Sequence, residues 1–183
     1  MKKMFSSFWL RCSGAILVTT VLTLTAFSAL SKPKPSVVRS NSRPEVTATT
    51  TVRNKIAKKI LEVQENEQQW IEIDLSSQRL IAWEGTIPVY AVVVSTGKRS
   101  TPTRIGTFTI QSKYQSARMT GQGYDVSNVP HTMYYYGGYA IHGAYWHRRF
   151  GTPVSHGCVN VAPNHAAWLF NWASVGTPVI VHE

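Results

Sequence analysis

The chain has 183 residues, which suits one domain of ordinary size with an additional segment. Its hydrophobic fraction of 43% and charged fraction of 15% exclude a disordered chain, and its two cysteines exclude a disulfide-rich scaffold. The formal net charge of +10 arises entirely in residues 1–59, so the neutral remainder lacks the positive surface of a nucleic-acid-binding protein, and no nucleic-acid partner is expected.

Residues 1–31 have the pattern of an export signal. A positively charged start precedes an uncharged apolar run over residues 14–30. Small residues follow the run, and cleavage after Ser31 or after Ser28 would remove it. The alternative is an uncleaved membrane anchor, because the run is near the minimum length for crossing a bilayer. Both interpretations predict an exported body, in the periplasm or cell wall, that meets the membrane only through this segment.

Two further segments precede the body of the chain. Residues 32–54 are basic, rich in Pro, Ser and Thr and without hydrophobic periodicity, which predicts an extended linker. Its positive charge would contact anionic membrane or wall polymers, or would simply be solvated. Residues 55–69 have apolar side chains at helical spacing, which predicts one short amphipathic helix. The single catalytic domain is expected over residues 69–183.

The body of the chain is predicted to be mostly β. Apolar and polar residues alternate from Trp70 onward, and Gly, Pro and Ser separate the short runs. Residues 87–96 are apolar enough to predict a strand that is buried on both faces. One helix is predicted over residues 164–173. The predicted strands cover residues 70–75, 79–84, 87–96, 106–110, 138–143 and 177–182.

Cys158 is the candidate nucleophile. It is the one cysteine that remains once Cys12 is removed with the signal, and a lone thiol in an oxidising compartment suggests a use. A nucleophilic thiol needs a base, and both His156 and His142 are candidates from their positions. The alternative is a buried structural cysteine with incidental histidines nearby.

The residues beside the thiol suggest how a substrate would be held. Gly157 lets the backbone approach a substrate closely, and the amides of Gly157 and Cys158 would then stabilise an oxyanion. Most Trp and Tyr residues are expected in the core or in the wall of a cleft. Among them, Tyr145 and Trp146 are assigned to substrate binding.

A metal site is the competing interpretation of the same histidines. His142, His147, His156, His165 and Cys158 are all soft ligands. However, the chain has neither an HExxH helix nor a paired CxxC, and the first two histidines are five residues apart in an irregular segment. No metal and no cofactor are therefore expected.

Four stretches in the same order resemble the L,D-transpeptidase catalytic domain (YkuD-type), over about residues 69–182. They are WIEIDLSSQRLIAWEG, VVVSTGKRSTPTRIGTFTI, YAIHG and SHGCVN. Twelve residues separate His142 from Ser155, which is also typical of that family. The resemblance implies a β-sandwich of mixed sheets with one short helix after the catalytic cysteine.

The resemblance also implies the roles of the two central side chains. Cys158 would be the nucleophile. His142 would be its base and would later give the proton to the leaving D-alanine amine. The backbone carbonyl of Gly143 would hold the His142 ring, in place of the acid of a triad.

Residues around the cysteine receive supporting roles from the same resemblance. His156, together with the amides of Gly157 and Cys158, would line the oxyanion side. Ser155 would support the loop. Asn160 stands where some members of the family carry Arg, so contacts with substrate carboxylates are expected to differ there.

The implied activity is a cysteine transpeptidase acting on peptidoglycan stem peptides, as a monomer. The thiolate would attack a donor tetrapeptide, release D-alanine and leave a thioester, which an amine of a second stem would resolve into a 3→3 cross-link. Water as acceptor would make the protein an L,D-carboxypeptidase, and a protein lysine would make it an enzyme that attaches proteins to the wall. The competing classes are another secreted thiol hydrolase of wall peptides and a wall-binding module without activity.

Overall fold

The computed structural model describes residues 44–183, so the expected export signal and residues 32–43 of the expected linker lie outside the described residues. No helix within the described part is long and apolar enough to cross a membrane. The elements are α1 (Pro44–Glu65), β1 (Gln69–Asp74), β2 (Arg79–Glu84), β3 (Ile87–Val93), β4 (Gly106–Thr109), β5 (Ser112–Gly121), β6 (Tyr124–Tyr136), β7 (Tyr139–Gly143), β8 (Val159–Val161), α2 (Pro163–Trp172) and β9 (Pro178–His182).

The first helix is longer than the sequence predicts. Helix α1 already begins at Pro44, so residues 44–54, expected to be extended, are helical, and it ends at Glu65 rather than at residue 69. A proline at the start of a helix is compatible with it, because the first amide groups have no intrahelical acceptor. Side chains 47–55 are exposed, which explains why no apolar period marks this part of the helix.

The second half of α1 packs against the body. Ile56 and Val63 are buried in a small apolar cluster with Trp70 and Ile180, which come from β1 and β9. The Trp70 indole also donates a hydrogen bond to the carbonyl of Gly85, at 2.9 Å. Most of the apolar residues that predicted a helix over 55–69 therefore attach it to the domain, whereas Leu61 is exposed.

The strands form two mixed sheets, as the resemblance implied. One sheet has the order β3-β2-β1-β9-β4, and the other has the order β5-β6-β7-β8. The pairs β1–β9 and β7–β8 are parallel, and the remaining pairs are antiparallel. The main core draws side chains from both sheets and from α2, including Ile73, Leu80, Ile141, Val159 and Leu169. The domain is mostly β, with a sandwich-like arrangement.

Strand β3 corrects one prediction. Its apolar sequence indicated burial on both faces, but β3 is an edge strand, with Ile87 64% and Val93 48% exposed. Pro88 lies within it, and a proline is tolerated at an edge because it has no amide hydrogen to donate to a neighbouring strand.

The hairpin of β5 and β6 was not predicted. Its strands are ten and thirteen residues long and are joined by a turn that includes Gly123, whose φ is +82°. A salt bridge of 2.5 Å between Arg118 and Asp125 joins the strands near this end. The sequence did contain a signal, since β-branched and aromatic residues flank a Gly-Gln-Gly turn.

Candidate active site

Two parallel strands bring the candidate nucleophile to the candidate base. His142 on β7 is the register partner of Asn160 on β8, and Cys158 immediately precedes β8. Neighbouring strands lie about 4.8 Å apart. This pairing therefore places His142 beside the start of β8, next to Cys158, which is sixteen positions further along the chain.

A cavity of about 360 Å³ opens at this end of the strands. It is walled by β7 and β8, by the loop before Cys158 and by the β5–β6 hairpin. The lining residues are Met119, Tyr124, Val126, His142, Trp146, His147, Arg149, Val154, Ser155, His156, Cys158 and Asn160.

His142 is held as a neutral base. Its ring is 2% exposed, stacks on Trp146 at 5.7 Å and places Nδ1 3.1 Å from the carbonyl oxygen of Gly143. A carbonyl only accepts, so Nδ1 carries the proton and Nε2 keeps a free lone pair. The pKa of His142 is lowered to about 4: burial lowers it most, the hydrogen bond with Gly143 opposes this, and His147 adds a smaller lowering. The imidazole is therefore uncharged near neutral pH.

Cys158 is a protonated thiol in the resting state. Its Sγ donates to the carbonyl oxygen of Gly138 at 3.6 Å. Burial raises the pKa of the thiol, and a backbone hydrogen bond from Ala140 partly opposes this. The resting pair is thus a neutral thiol and a neutral imidazole, and a proton has to move when the sulfur attacks.

Ser155 organises the loop that carries the thiol. Its Oγ donates to the carbonyl oxygen of Cys158 at 2.5 Å and accepts from the amide of Gly157 at 3.0 Å. The second bond differs from the expectation for Gly157. Because its amide is engaged with Ser155, it is not free for an oxyanion in this state.

Gly157 has a steric role as well. Its φ is +117°, a conformation that residues with a Cβ rarely adopt. A Cβ at this position would lie 2.8 Å from Cε1 of Tyr139. The turn that presents Cys158 therefore requires glycine.

Residues 97–103, which follow β3, form hydrogen bonds with the loop that carries Cys158. Thr103 Oγ1 donates to the carbonyl oxygen of Gly157 at 2.8 Å and accepts from the amide of Gly97. The carbonyl oxygen of Ser155 accepts from Thr101 Oγ1 at 3.1 Å and from the amide of Lys98 at 3.1 Å. These bonds explain why the TGKRSTPT stretch accompanies the SHGCVN stretch in the sequence.

His156 is exposed and lines the cavity. Its ring stacks on Tyr124 at 4.8 Å, and its Nε2 accepts a hydrogen bond of 3.2 Å from Nζ of Lys98. An ammonium group only donates, so the imidazole proton lies on Nδ1. Because Nε2 is engaged by Lys98, the ring has no free lone pair to act as a base in this state.

The aromatic residues assigned to substrate binding have different positions. Trp146 lines the cavity and packs on His142. Tyr145 does not line it, and its hydroxyl donates to the carbonyl oxygen of Ser127 on the hairpin, at 2.8 Å. Tyr145 thus attaches the loop after β7 to the hairpin.

Several cavity residues were not assigned from the sequence. The hairpin contributes Met119, Tyr124 and Val126, which lay in a region without a predicted element. His147 was considered only as a metal ligand, yet it contacts Asn160. Within residues 44–183, no group of three or more His, Cys, Asp or Glu side chains is arranged to hold a metal ion.

The chain belongs to the YkuD family of L,D-transpeptidase catalytic domains, whose family model matches residues 68–181. It is 33% identical over 99 residues to L,D-transpeptidase 1 of Mycobacterium tuberculosis, covering 48% of this chain and 39% of that protein. It is 32% identical over 101 residues to the probable L,D-transpeptidase 3 of the same species, covering 49% and 37%. The chain thus spans about two-fifths of the length of these curated relatives.

Solved structures agree with this membership. An L,D-transpeptidase from Mycobacterium smegmatis superposes with a TM-score of 0.60 at 29% identity, covering 63% of this chain and 59% of that one. A cysteine-to-serine mutant of the Enterococcus faecium L,D-transpeptidase also gives 0.60, at 30% identity, covering 63% and 50%. An L,D-transpeptidase solved in complex with imipenem gives 0.59 at 27% identity, covering 62% and 58%.

Proposed function

We propose that this protein is an exported L,D-transpeptidase that cross-links peptidoglycan stem peptides in the periplasm or cell wall. The observation that carries the proposal is the buried, neutral His142, whose free Nε2 shares one cavity with the Cys158 thiol. Membership of the L,D-transpeptidase catalytic domain family supports the choice of substrate. Export rests on the signal pattern of residues 1–31.

Acylation would begin with attack of the Cys158 sulfur on the carbonyl of the L-centre of the diamino acid in a donor tetrapeptide. The thiol proton moves to Nε2 of His142 as the C–S bond forms. We assign stabilisation of the oxyanion to the Cys158 amide and to Nδ1–H of His156. Collapse breaks the C–N bond, and the D-alanine amine leaves with the proton from His142, which gives a thioester.

Deacylation would repeat these transfers with an acceptor. An amine of a second stem attacks the thioester, His142 takes a proton from it, and the sulfur leaves and is reprotonated. The product is a 3→3 cross-link. Water in the same position gives L,D-carboxypeptidase activity, and a lysine of a wall-attached protein gives covalent attachment of that protein.

Intact-protein mass spectrometry after incubation with a tetrapeptide stem tests this proposal. The expected result is a covalent adduct whose mass exceeds that of the free protein by the mass of the tetrapeptide minus one D-alanine, because the thiol hydrogen leaves with the D-alanine amine. Cys158→Ala is the matched control, which should form no adduct and keep its melting temperature. An adduct on the Cys158→Ala variant, or none on the parent protein, would exclude the mechanism.

The same experiment identifies the acceptor. Adding a second stem peptide should yield a dimer whose mass shows loss of one D-alanine, whereas a tripeptide alone would indicate the carboxypeptidase. Imipenem provides an independent probe, because a related L,D-transpeptidase is known in complex with it. We expect imipenem to block iodoacetamide labelling of Cys158.

A further inference from the structure

Arg149 gives the active-site cavity a positive charge. It lies in the loop between β7 and β8 and lines the cavity together with His142 and Cys158. An arginine stays charged across the whole physiological pH range. No acidic residue is among the described residues that line the cavity, and Asn160, the register partner of His142, is uncharged. Among these lining residues, Arg149 therefore has the one permanent charge.

The main chain at Arg149 is held in place. Its carbonyl oxygen accepts from the hydroxyl of the buried Ser95 at 2.8 Å, and its amide donates to Nδ1 of His147 at 3.2 Å. Two residues further on, the amide of Gly151 donates to the carbonyl oxygen of Val94 at 2.9 Å. These bonds attach the loop to the segment that follows β3, so the Arg149 side chain starts from a fixed point of the cavity wall.

The guanidinium of Arg149 lies near the cavity without a carboxylate partner. Burial, and next the charge of Arg149, lower the pKa of His147. The effect of a charge falls with distance, so the guanidinium lies near this ring, which lines the same cavity. The Arg149 side chain is exposed, and none of the ion pairs among the described side chains includes it. Asp125, which follows the cavity residue Tyr124, is already paired with Arg118.

We infer that Arg149 binds a carboxylate of the donor stem peptide and thereby selects stems that present a free carboxylate in the cavity. This inference rests on the proposed function for the identity of the peptide. A guanidinium matches the two oxygens of a carboxylate with two parallel N–H donors. A tetrapeptide that ends in D-alanine carries such a group at its C-terminus, beside the bond that the proposed mechanism breaks, and acidic side chains of the stem would supply others.

The first test measures binding rather than turnover. Calorimetry gives the affinity of the Cys158→Ala protein for a tetrapeptide stem, with and without the additional change Arg149→Gln. Exposed ion pairs correspond to up to roughly fivefold in affinity, and shielded, charge-assisted hydrogen bonds to roughly tenfold or more. Because a bound peptide would cover part of Arg149, Arg149→Gln should weaken binding by roughly tenfold. Unchanged affinity, or no binding of the tetrapeptide to the Cys158→Ala protein, would overturn the inference.

Arg148→Gln is the matched control. Arg148 is exposed and has the same charge as its neighbour, but it does not line the cavity, so this change should leave the affinity as it was. Binding should also weaken as salt is added, and it should do so less in the Arg149→Gln variant, because salt screens the ion pair. Equal losses in the Arg148→Gln and Arg149→Gln variants, or equal salt dependence with and without Arg149, would overturn the inference.

Amidated peptides identify the carboxylate. A tetrapeptide with every carboxylate amidated should bind equally well with and without Arg149→Gln, and a difference that persisted would contradict the inference. If Arg149 binds the D-alanine carboxylate, amidation of the C-terminus alone should abolish the difference. If it binds an acidic side chain of the stem, amidation of that side chain should do so.

Mass spectrometry of proteins that retain Cys158 separates this inference from the proposed function. If Cys158 is acylated by the tetrapeptide but affinity does not depend on Arg149, only the inference fails. If affinity depends on Arg149 but no adduct forms on Cys158, only the proposed function fails.

Discussion

Replacement of His142 by Ala tests the proton transfer on which the proposed mechanism depends. In the parent protein the pKa of His142 is lowered to about 4, so at pH 7 only about one ring in a thousand is protonated. The thiol stays protonated until the pH approaches its raised pKa. The acylation rate should therefore be constant across neutral pH and fall on the acid side with a midpoint near pH 4 rather than 6.5.

His142→Ala removes the acceptor of the thiol proton. A general base typically contributes 10²–10⁴-fold, or about 3–5 kcal/mol of barrier, and acylation should slow by that order. The remaining reaction depends on the small thiolate fraction, so its rate should rise about tenfold for each pH unit below the pKa of Cys158. Rapid alkylation by iodoacetamide near neutral pH should be lost as well.

Acylation by a tetrapeptide stem and alkylation by iodoacetamide should both be followed as functions of pH. His156→Ala is the matched control, because His156 lines the same cavity but its proton lies on Nδ1. This variant should keep much of its thiol reactivity and lose turnover through weaker oxyanion stabilisation. If His156→Ala alone raised the apparent pKa of the thiol, the roles of the two histidines would be reversed. An acid limb near pH 6.5 would refute the argument from burial.

Two further predictions concern the loop and the metal. Gly157→Ala should lower the free energy of unfolding by about 1–2 kcal/mol because of the φ of +117°. The contact of 2.8 Å between the new Cβ and Tyr139 should lower it further. The variant should also lose most of its turnover. Gly176→Ala, with a φ of +94° and open space around it, should lose similar backbone energy but keep turnover, so equal activity losses would contradict the steric argument. Melting curves measure the loss of stability in each of the two variants, and turnover assays measure the loss of activity. Turnover should also survive EDTA, and activity that is lost with EDTA and restored by zinc would contradict the metal-free mechanism.

Local patterns in the sequence were sufficient for the β-rich class, and they singled out Cys158 with two candidate bases, His142 and His156. Alternation of apolar and polar residues predicted β1, because side chains on a strand alternate between its two faces. Short apolar runs bounded by Gly, Pro and Ser predicted β2, β4, β7 and β9. The helix α2 followed from its length and its opening proline. Cys158 and His142 were found because reactive residue types stood beside glycine and at the end of an apolar strand.

Long-range packing decided which strands lie at a sheet edge, which local sequence patterns do not show. An apolar run such as β3 has the same composition in a central strand and at an edge, and only its neighbours show that it is an edge strand. The start of α1 carries no apolar period, and side chains 47–55 are exposed.

The details of the site were likewise decided by tertiary contacts. The parallel pairing of β7 with β8 places His142 opposite Asn160, and the loop between these strands brings His147 to the Asn160 amide. The amide of Gly157 is engaged by Ser155 because of the shape of the turn. The sequence by itself determined the reactive groups, since their chemistry belongs to single residues. Only the tertiary structure decided which proton each group holds, because hydrogen-bond partners come from distant parts of the chain.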